Sequence, residues 1–293
     1  MKVYIPKYSG FCPGVKLAEK NLFKIKKDHS APIYVLGKLI HNTQYINYLK
    51  KNDILTSDSV NKIPTDSIVA IRTHGISWQL EKDLRKKIKV LDLTCSKVKQ
   101  LQKTIQRYSE KGYFVVITGK KDHPEILGLK SYATNFYLIE EDADIVEFEN
   151  FVKVKKASDI SSFKKLLVVS QTTGSRELFE KASEKIKEIL GQFAEIRVID
   201  SICSITSLRE EEALKMQKYA SYTFVVGDHI SANANRLYNT LKKNKNNTYF
   251  IENLLQLKEL KLPLKSNDSS LVVSSSSTPE FIEREIVEYL ASI

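Results

Sequence analysis

Cys12, Cys95 and Cys203 are the only cysteines in the chain, and each stands in the same local setting. A short β-rich run ends, the cysteine follows, and a helical pattern begins. Val3-Tyr4-Ile5 leads to Gly10-Phe11-Cys12-Pro13-Gly14-Val15, Lys89-Val90-Leu91-Asp92-Leu93 to Thr94-Cys95-Ser96, and Ile196-Arg197-Val198-Ile199-Asp200 to Ser201-Ile202-Cys203-Ser204. In parallel α/β sheets, ligands gather beyond the carboxyl ends of the strands. Three thiols at three such ends could converge on one object, and three thiolates suggest a metal centre. No C-x-x-C spacing occurs, which excludes zinc ribbons and ferredoxin-type runs. A [4Fe–4S] cluster on three thiolates would keep one iron without a cysteine ligand, able to bind a substrate oxygen as a Lewis acid. A lone cysteine is more often a small hydrophobe; the shared setting argues against that here.

Three of the five histidines, His41, His74 and His123, also sit at strand ends, beside glycine, asparagine or proline. One such histidine reads as a satisfied loop residue; three together suggest an anion site, because imidazole donates to phosphate oxygens. Ser231, Asn233 and Asn235 precede the helical pattern Arg236-Leu237-Tyr238, and Ser277-Thr278-Pro279 precedes another. Both clusters serve as helix caps, and both could also present hydroxyls and free N–H groups to phosphate. Glu125 follows His123-Pro124 and is the leading candidate proton donor, with the Thr172 hydroxyl able to pass a proton. The competing role for Glu125 is a first-turn glutamate favourable to a helix dipole.

The elements that must position these residues form an alternation. Compact apolar runs such as Ile33-Tyr34-Val35-Leu36, Ser67-Ile68-Val69-Ala70-Ile71, Tyr113-Phe114-Val115-Val116-Ile117, Leu166-Leu167-Val168-Val169, Tyr222-Thr223-Phe224-Val225-Val226 and Leu271-Val272-Val273 read as strands buried on both faces. Between them run helical faces: Val15, Ala18, Leu22 and Ile25; Val98, Leu101, Ile105 and Tyr108; a helix over 175–190 closed by Gly191; and a last helix over 281–290 begun by Thr278-Pro279. Strands alternating with helices predict parallel α/β units. One cysteine per stretch of about 100 residues predicts three similar units, a common domain size. The expected bounds are 14–95, 96–199, and 200–293 with 1–13.

At 293 residues with 42% hydrophobic content, the chain can bury a sizeable core. No apolar run is long enough to span a bilayer, and the N-terminus has no signal-peptide pattern. Three cysteines cannot all pair, so the expected location is cytoplasmic, with thiols reduced or on metal. The net charge of +11 comes from scattered lysine groups. Without an aromatic-interleaved basic motif it predicts no nucleic-acid partner, but a positive field that helps an anionic substrate arrive.

Taken in order, Gly10 to Val15, Ile40-His41-Asn42, Thr73-His74-Gly75, Asp92 to Cys95, Gly119 to Gly128, Gln171-Thr172-Thr173, Ile202-Cys203, Ser231 to Leu237 and Ser277-Thr278-Pro279 resemble the 4-hydroxy-3-methylbut-2-enyl diphosphate reductase family of the non-mevalonate isoprenoid pathway. The likeness spans nearly the whole chain. It implies a three-lobed α/β fold around a central iron–sulfur cleft, with Cys12, Cys95 and Cys203 holding the cluster. It further implies that His41, His74, His123, Ser231, Asn233 and Ser277 hold the diphosphate and that Glu125, helped by Thr172, delivers a proton. Electrons would come from ferredoxin or flavodoxin. The chain departs from the family pattern at Ser96 (usually proline), Ala232 (serine), Ser275 (glycine) and Glu210 (glutamine). Two other readings compete: a non-redox hydro-lyase with a three-cysteine cluster, and a cluster-bearing sensor or nucleic-acid binder motivated by the charge.

Overall fold

A computed structural model describes residues 1–40, 42–158 and 163–293. The chain separates into two compact units, Met1–Thr73 with Ser204–Ile293, and His74–Cys203. Among the described residues the strands make three four-stranded sheets, and the pairings are parallel. The predicted α/β class, with three parallel sheets, is the observed one.

The first unit begins with β1 (Lys2–Tyr4), α1 (Pro13–Asp28), β2 (Ile33–Leu36), α2 (Thr43–Lys51), β3 (Ile54–Ser57) and β4 (Ile68–Ile71). The second holds α3 (Trp78–Lys87), β5 (Lys89–Asp92), α4 (Ser96–Glu110), β6 (Phe114–Thr118), α5 (Pro124–Lys130), β7 (Phe136–Ile139), α6 (Asp142–Ser158), β8 (Lys165–Ser170), α7 (Arg176–Leu190) and β9 (Glu195–Val198). The chain then returns to the first unit with α8 (Ser204–Gln217), β10 (Tyr222–Val226), α9 (Ala232–Asn244), β11 (Thr248–Ile251), α10 (Leu254–Glu259), β12 (Ser269–Ser274) and α11 (Glu280–Ala291).

In the second unit the sheet order is β7-β6-β8-β9. Side chains alternate across it as the strand period demands. Phe114, Val116, Leu166 and Val168 face one way, against Phe148 and Val152 of α6 and Phe179, Ala182 and Ile186 of α7. Val115, Ile117, Leu167 and Val169 face the other, against Leu101 and Ile105 of α4 and Ile126 and Leu129 of α5. The first unit repeats the scheme in the order β1-β12-β10-β11. Phe224, Val226 and Val272 meet Leu257 of α10 and Ile282, Ile286 and Leu290 of α11, while Val225, Leu271 and Val273 meet Ala213 of α8 and Leu237 and Leu241 of α9. In the same unit β2 pairs with both β3 and β4. Helices on both faces explain why the central strands are continuous apolar runs rather than alternating ones.

Three strands went unpredicted: β3, β7 and β11. Each is four residues long, and none is buried throughout, so none carries a period to read. The strands leading to the cysteines, β1, β5 and β9, are half-exposed. The last helix begins one residue early, with Pro279 itself at the N-cap and no side-chain cap. Thr278, expected to cap it, instead donates its hydroxyl to the Val226 carbonyl at 2.8 Å. Gly191 closes α7 in an ordinary right-handed conformation, so its permissive backbone is not used there.

One buried amide joins the layers of the first unit. Gln217, fully buried at the end of α8, donates Nε2 to Thr223 Oγ1, Leu241 O and Thr248 Oγ1 at 3.0–3.2 Å and accepts from Asn244 Nδ2 at 2.7 Å. Truncating it strands several buried polar groups, so Gln217→Ala should cost about 1–3 kcal/mol. Urea denaturation of the variant against the parent chain measures this, and an unchanged midpoint would refute the role.

Candidate active site

The second unit gathers its chemistry where β6 and β8 end. After β6 the chain turns at Gly119, whose φ of +155° few other residues adopt, and a Cβ there would lie 2.7 Å from Ile126 Cδ1 and 2.8 Å from Gln171 Cβ. Bare backbone is therefore what lets the 119–125 turn close on the end of β8. Gln171 fastens the two, accepting from the Lys120 N–H at 3.1 Å while its own N–H donates to the Thr118 carbonyl at 2.8 Å. His123 caps α5: its Nδ1 accepts the Glu125 N–H at 3.2 Å, which leaves Nε2 as the proton-bearing nitrogen of the neutral ring. Pro124 occupies the first helical turn, where its missing N–H costs nothing.

Glu125 is thereby carried inward to 1% exposure. Its carboxyl accepts the Thr172 N–H at 2.7 Å and the Thr172 hydroxyl at 2.8 Å. Burial pushes its pKa from an ordinary 4.5 up to about 7, against the pull of the two Thr172 hydrogen bonds. No charged side chain contributes to this shift, so desolvation decides it. The carbonyl of Thr172 in turn accepts the Cys203 N–H at 2.7 Å. One residue thus links the buried acid to one of the three thiols.

His74 lies edge-on to His123 with ring centroids 5.2 Å apart. The next residue, Gly75 (φ +74°), packs where a Cβ would meet Gln102 Nε2 at 2.5 Å and Thr94 Cγ2 at 3.3 Å. The His74 loop therefore rests on the turn that carries Cys95. That turn is braced by Asp92, which accepts the Thr94 N–H at 3.0 Å and pairs with Lys99 at 2.8 Å.

In the first unit, Cys12 stands at the N-cap of α1 with Pro13 behind it. Its loop is held by Arg209, a buried residue whose guanidinium donates to the Tyr8 and Gly10 carbonyls at 2.6 and 2.7 Å. Gly10 N–H also donates to Ser274 O at 3.1 Å, just beyond the sheet. Beyond β10, Ser231 caps α9 by accepting the Ala234 N–H, and the Ser277 hydroxyl donates to Ser231 Oγ at 3.3 Å. Ser275 Oγ lies 3.0 Å from Ser277 Oγ and 3.2 Å from Thr278 Oγ1, so this departure from the family pattern adds a buried hydroxyl to the cluster. Asn233 is half-buried in the first turn of α9. Glu210, another departure, pairs with Arg236 at 3.0 Å and ties α8 to α9. Ser96 is exposed at the start of α4.

His41 lies outside the described residues. Its neighbour Asn42 caps α2 by accepting the Tyr45 N–H at 2.8 Å, and Asp228 holds the same helix start by accepting the Thr43 N–H at 3.0 Å. Asp228 and the loop-pinning role of Arg209 escape a reading of the sequence, because their partners lie 185 and about 200 residues away.

The three thiols are outside any disulfide and half-buried. Cys12 and Cys95 are N-cap residues whose side chains make no capping hydrogen bond, and Cys203 immediately precedes α8. Soft thiolates are the donors an iron–sulfur centre takes. Among the described residues, no three His, Cys, Asp or Glu side chains converge on a single-ion position. What fits these residues to an iron–sulfur centre is their thiol chemistry.

The LytB protein family matches residues 3–291. The chain is 32% identical over 294 residues to the 4-hydroxy-3-methylbut-2-enyl diphosphate reductase of Clostridium perfringens (strain SM101 / Type A), covering 99% of each. It is 36% identical to the reductase of that name from Petrotoga mobilis, covering 99% of this chain and 98% of the relative. A solved structure of (E)-4-hydroxy-3-methyl-but-2-enyl diphosphate reductase, described as the terminal enzyme of the non-mevalonate pathway, superposes with a TM-score of 0.78 at 31% identity over 100% of both chains. The E-1-hydroxy-2-methyl-but-2-enyl-4-diphosphate reductase of Plasmodium falciparum gives 0.79 at 26% identity, covering 98% of this chain and 87% of that one.

The buried acid has a signature in stability. Folded, Glu125 keeps its proton to about pH 7; unfolded, it releases it near 4.5. Between those values the folded chain binds more protons, so the contribution is complete below about 4.5 and is lost as pH rises through about 7. The stability of the parent chain relative to Glu125→Gln should therefore fall by about 3 kcal/mol from acid to pH 8. Urea denaturation across that range tests it; a difference independent of pH would show that the carboxyl titrates normally.

Proposed function

The chain belongs to the LytB family, and from that premise we propose that it reduces 4-hydroxy-3-methylbut-2-enyl diphosphate to isopentenyl and dimethylallyl diphosphates. The reaction breaks the allylic C–O bond, forms a C–H bond and releases water, taking up two electrons and two protons. Cys12, Cys95 and Cys203 would hold a [4Fe–4S] cluster. When bound, that group supplies electrons and a Lewis-acidic iron for the substrate oxygen. Ferredoxin or flavodoxin delivers the electrons. A charged, water-soluble substrate and carrier suit the cytoplasm, and among the described residues no helix is long and apolar enough to cross a membrane.

The observation that carries this reading is the Glu125–Thr172 pair. An allylic oxygen leaves poorly as hydroxide, so a protonated group must be at hand. A carboxyl that holds its proton to about pH 7 is such a group. Thr172 presents a hydroxyl 2.8 Å from it, so a proton leaving the acid can be replaced or passed along through the same oxygen. Glu125 and Thr172 are therefore assigned the proton delivery.

His41, His74 and His123, with Ser231, Asn233 and Ser277, are assigned the diphosphate. The edge-on pairing of His74 and His123 and the hydrogen bond from Ser277 to Ser231 support this, since each groups donors at the end of a parallel sheet. The start of α9 adds backbone N–H groups suited to phosphate oxygens. Sheet membership supports a division into the units 14–95, 96–199, and 200–293 with 1–13.

Anaerobic purification with an iron and sulfide count, followed by turnover with reduced methyl viologen, tests the assignment. Replacing any one of the three cysteines with Ser should remove most bound iron, because a hydroxyl poorly replaces thiolate; full iron in each single variant would refute the shared centre. Turnover without a reductant would mark the chain as a hydro-lyase.

Glu125→Gln keeps shape but cannot supply a proton as an acid. It should lower kcat by roughly 10²–10⁴ with iron content and substrate affinity near the parent values. Thr172→Val should lose less. The activity of the parent enzyme should fall as pH rises above about 7, where Glu125 gives up its proton. Wild-type turnover by Glu125→Gln would remove this residue from the mechanism.

A further inference from the structure

Electrons must reach this protein from a donor outside it. The ten glycines contain no G-x-G pair, so the chain lacks the fingerprint with which α/β sheets bind a dinucleotide. The proposed external donor has to touch the surface, and it has to do so near a residue that would hold the redox centre.

Helices α1, α4 and α8 start directly after the three cysteines; the groove beside Lys16 and Lys20 of α1 also takes in Glu19 and Glu280, whereas the groove along α4 takes in no acid. Helix α4 begins directly after Cys95 and carries four cations, Lys97, Lys99, Lys103 and Arg107, against one acid, Glu110. Lys99, Lys103 and Arg107 recur every fourth residue and so form one stripe. Together with Thr94, Ser96, Gln100 and Thr104 they line a groove of about 580 Å³ in which no carboxylate takes part. The groove starts at Thr94 and Ser96, the two neighbours of Cys95, and runs for roughly 16 Å along the helix at 1.5 Å per residue.

The cations in this stripe are not equivalent. Lys99 is committed internally, 2.8 Å from both Asp92 and Glu81, and the same two acids take Arg85. It braces the Cys95 turn and leaves little field. Lys103 and Arg107 are exposed, and among the described residues neither forms an ion pair with a carboxylate. Their positive field is left uncompensated, and a groove lined by one sign of charge concentrates that field.

A row of cations on a helix is by itself ordinary solvated surface. Its head at Cys95, the absence of acids along the groove and the external electron demand together single this one out. We propose that this face of α4 is the docking site for a small acidic one-electron carrier protein, which hands its electrons in beside Cys95. The proposal rests on the reductase reading. Two reduced carriers are oxidised per turnover, by one electron each, and the two electrons are consumed with two protons as the C–O bond breaks to water and the C–H bond forms.

The test uses the cluster-loaded enzyme and an acidic plant-type [2Fe–2S] ferredoxin. Lys103→Glu with Arg107→Glu is compared with the parent enzyme and with Lys24→Glu plus Lys27→Glu, an equal charge change on α1. Reversing the α4 pair should raise KM for reduced ferredoxin about tenfold or more and flatten its salt dependence. Turnover driven by reduced methyl viologen, which needs no docking, should stay unchanged, and the α1 variant should behave like the parent. Calorimetric binding of oxidised ferredoxin should weaken in the α4 variant alone. Equal ferredoxin affinity and salt dependence in the parent and α4 variants would overturn the proposal. An enzyme that methyl viologen cannot drive at all would instead overturn the reductase reading, and the binding measurement would still decide the surface.

Discussion

A carboxyl group taken out of water without a positive partner is a demanding side chain to hold in place. Glu125 is such a group, buried to 1% exposure with Thr172 as its hydrogen-bond partner. Ionised there, it would lose its hydration and recover only two hydrogen bonds. It keeps its proton instead, to about pH 7. Its surroundings must then be stiff, because a loose site would admit water and return the acid to ordinary behaviour. Gly119 supplies that stiffness by letting the turn close on Gln171, Pro124 by starting α5 without an unsatisfied N–H, and Gln171 by lashing the two strand ends together.

The same end of the sheets recurs in every other feature of interest. Parallel strands flanked by helices bring each strand's carboxyl end next to the start of a helix. There the backbone offers N–H groups and a partial positive charge. Cys12 and Cys95 occupy two such starts, Cys203 immediately precedes a third, and Ser231 caps another beside the Ser275–Ser277–Thr278 hydroxyls. The fold thus places the three thiols at or just before helix starts, and hydroxyls where an anion can be received. The braces that hold these starts are polar groups, buried at Arg209 and half-buried at Asp92 and Lys99. Arg209 grips two carbonyls of the Cys12 loop, and Asp92 with Lys99 holds the Cys95 turn. A group with one satisfied geometry is hard to shift without a large cost.

The central strands were legible from composition alone, because a strand covered on both faces leaves its whole length apolar. Ile68–Ile71 and Phe114–Thr118 show this, every position buried. The four-residue strands β3, β7 and β11 were not, since a half-covered run of that length shows neither a period nor a continuous apolar stretch. Helix starts read well where a small polar residue or proline marks them, as at Ser175 and Pro13. Thr278 misled: its hydroxyl found the Val226 carbonyl, a partner 52 residues away that no local pattern announces.

Residue types and their order were enough to determine the α/β class and to nominate three thiols, three histidines, two serines, one asparagine, one threonine and one acid. These choices follow from local rules of strand, turn and helix start, which operate within a few residues and so are written in the chain itself. What the tertiary structure alone decided is how each candidate is held and in what state. Burial by α5 and the end of β8 sets the protonation of Glu125; the same glutamate in an exposed first turn would be an ordinary anion. Arg209 became a brace of the Cys12 loop only because folding carries it some 200 residues back along the chain to Tyr8 and Gly10. Desolvation and long-range hydrogen bonding depend on which distant segments come together, and no local pattern encodes that.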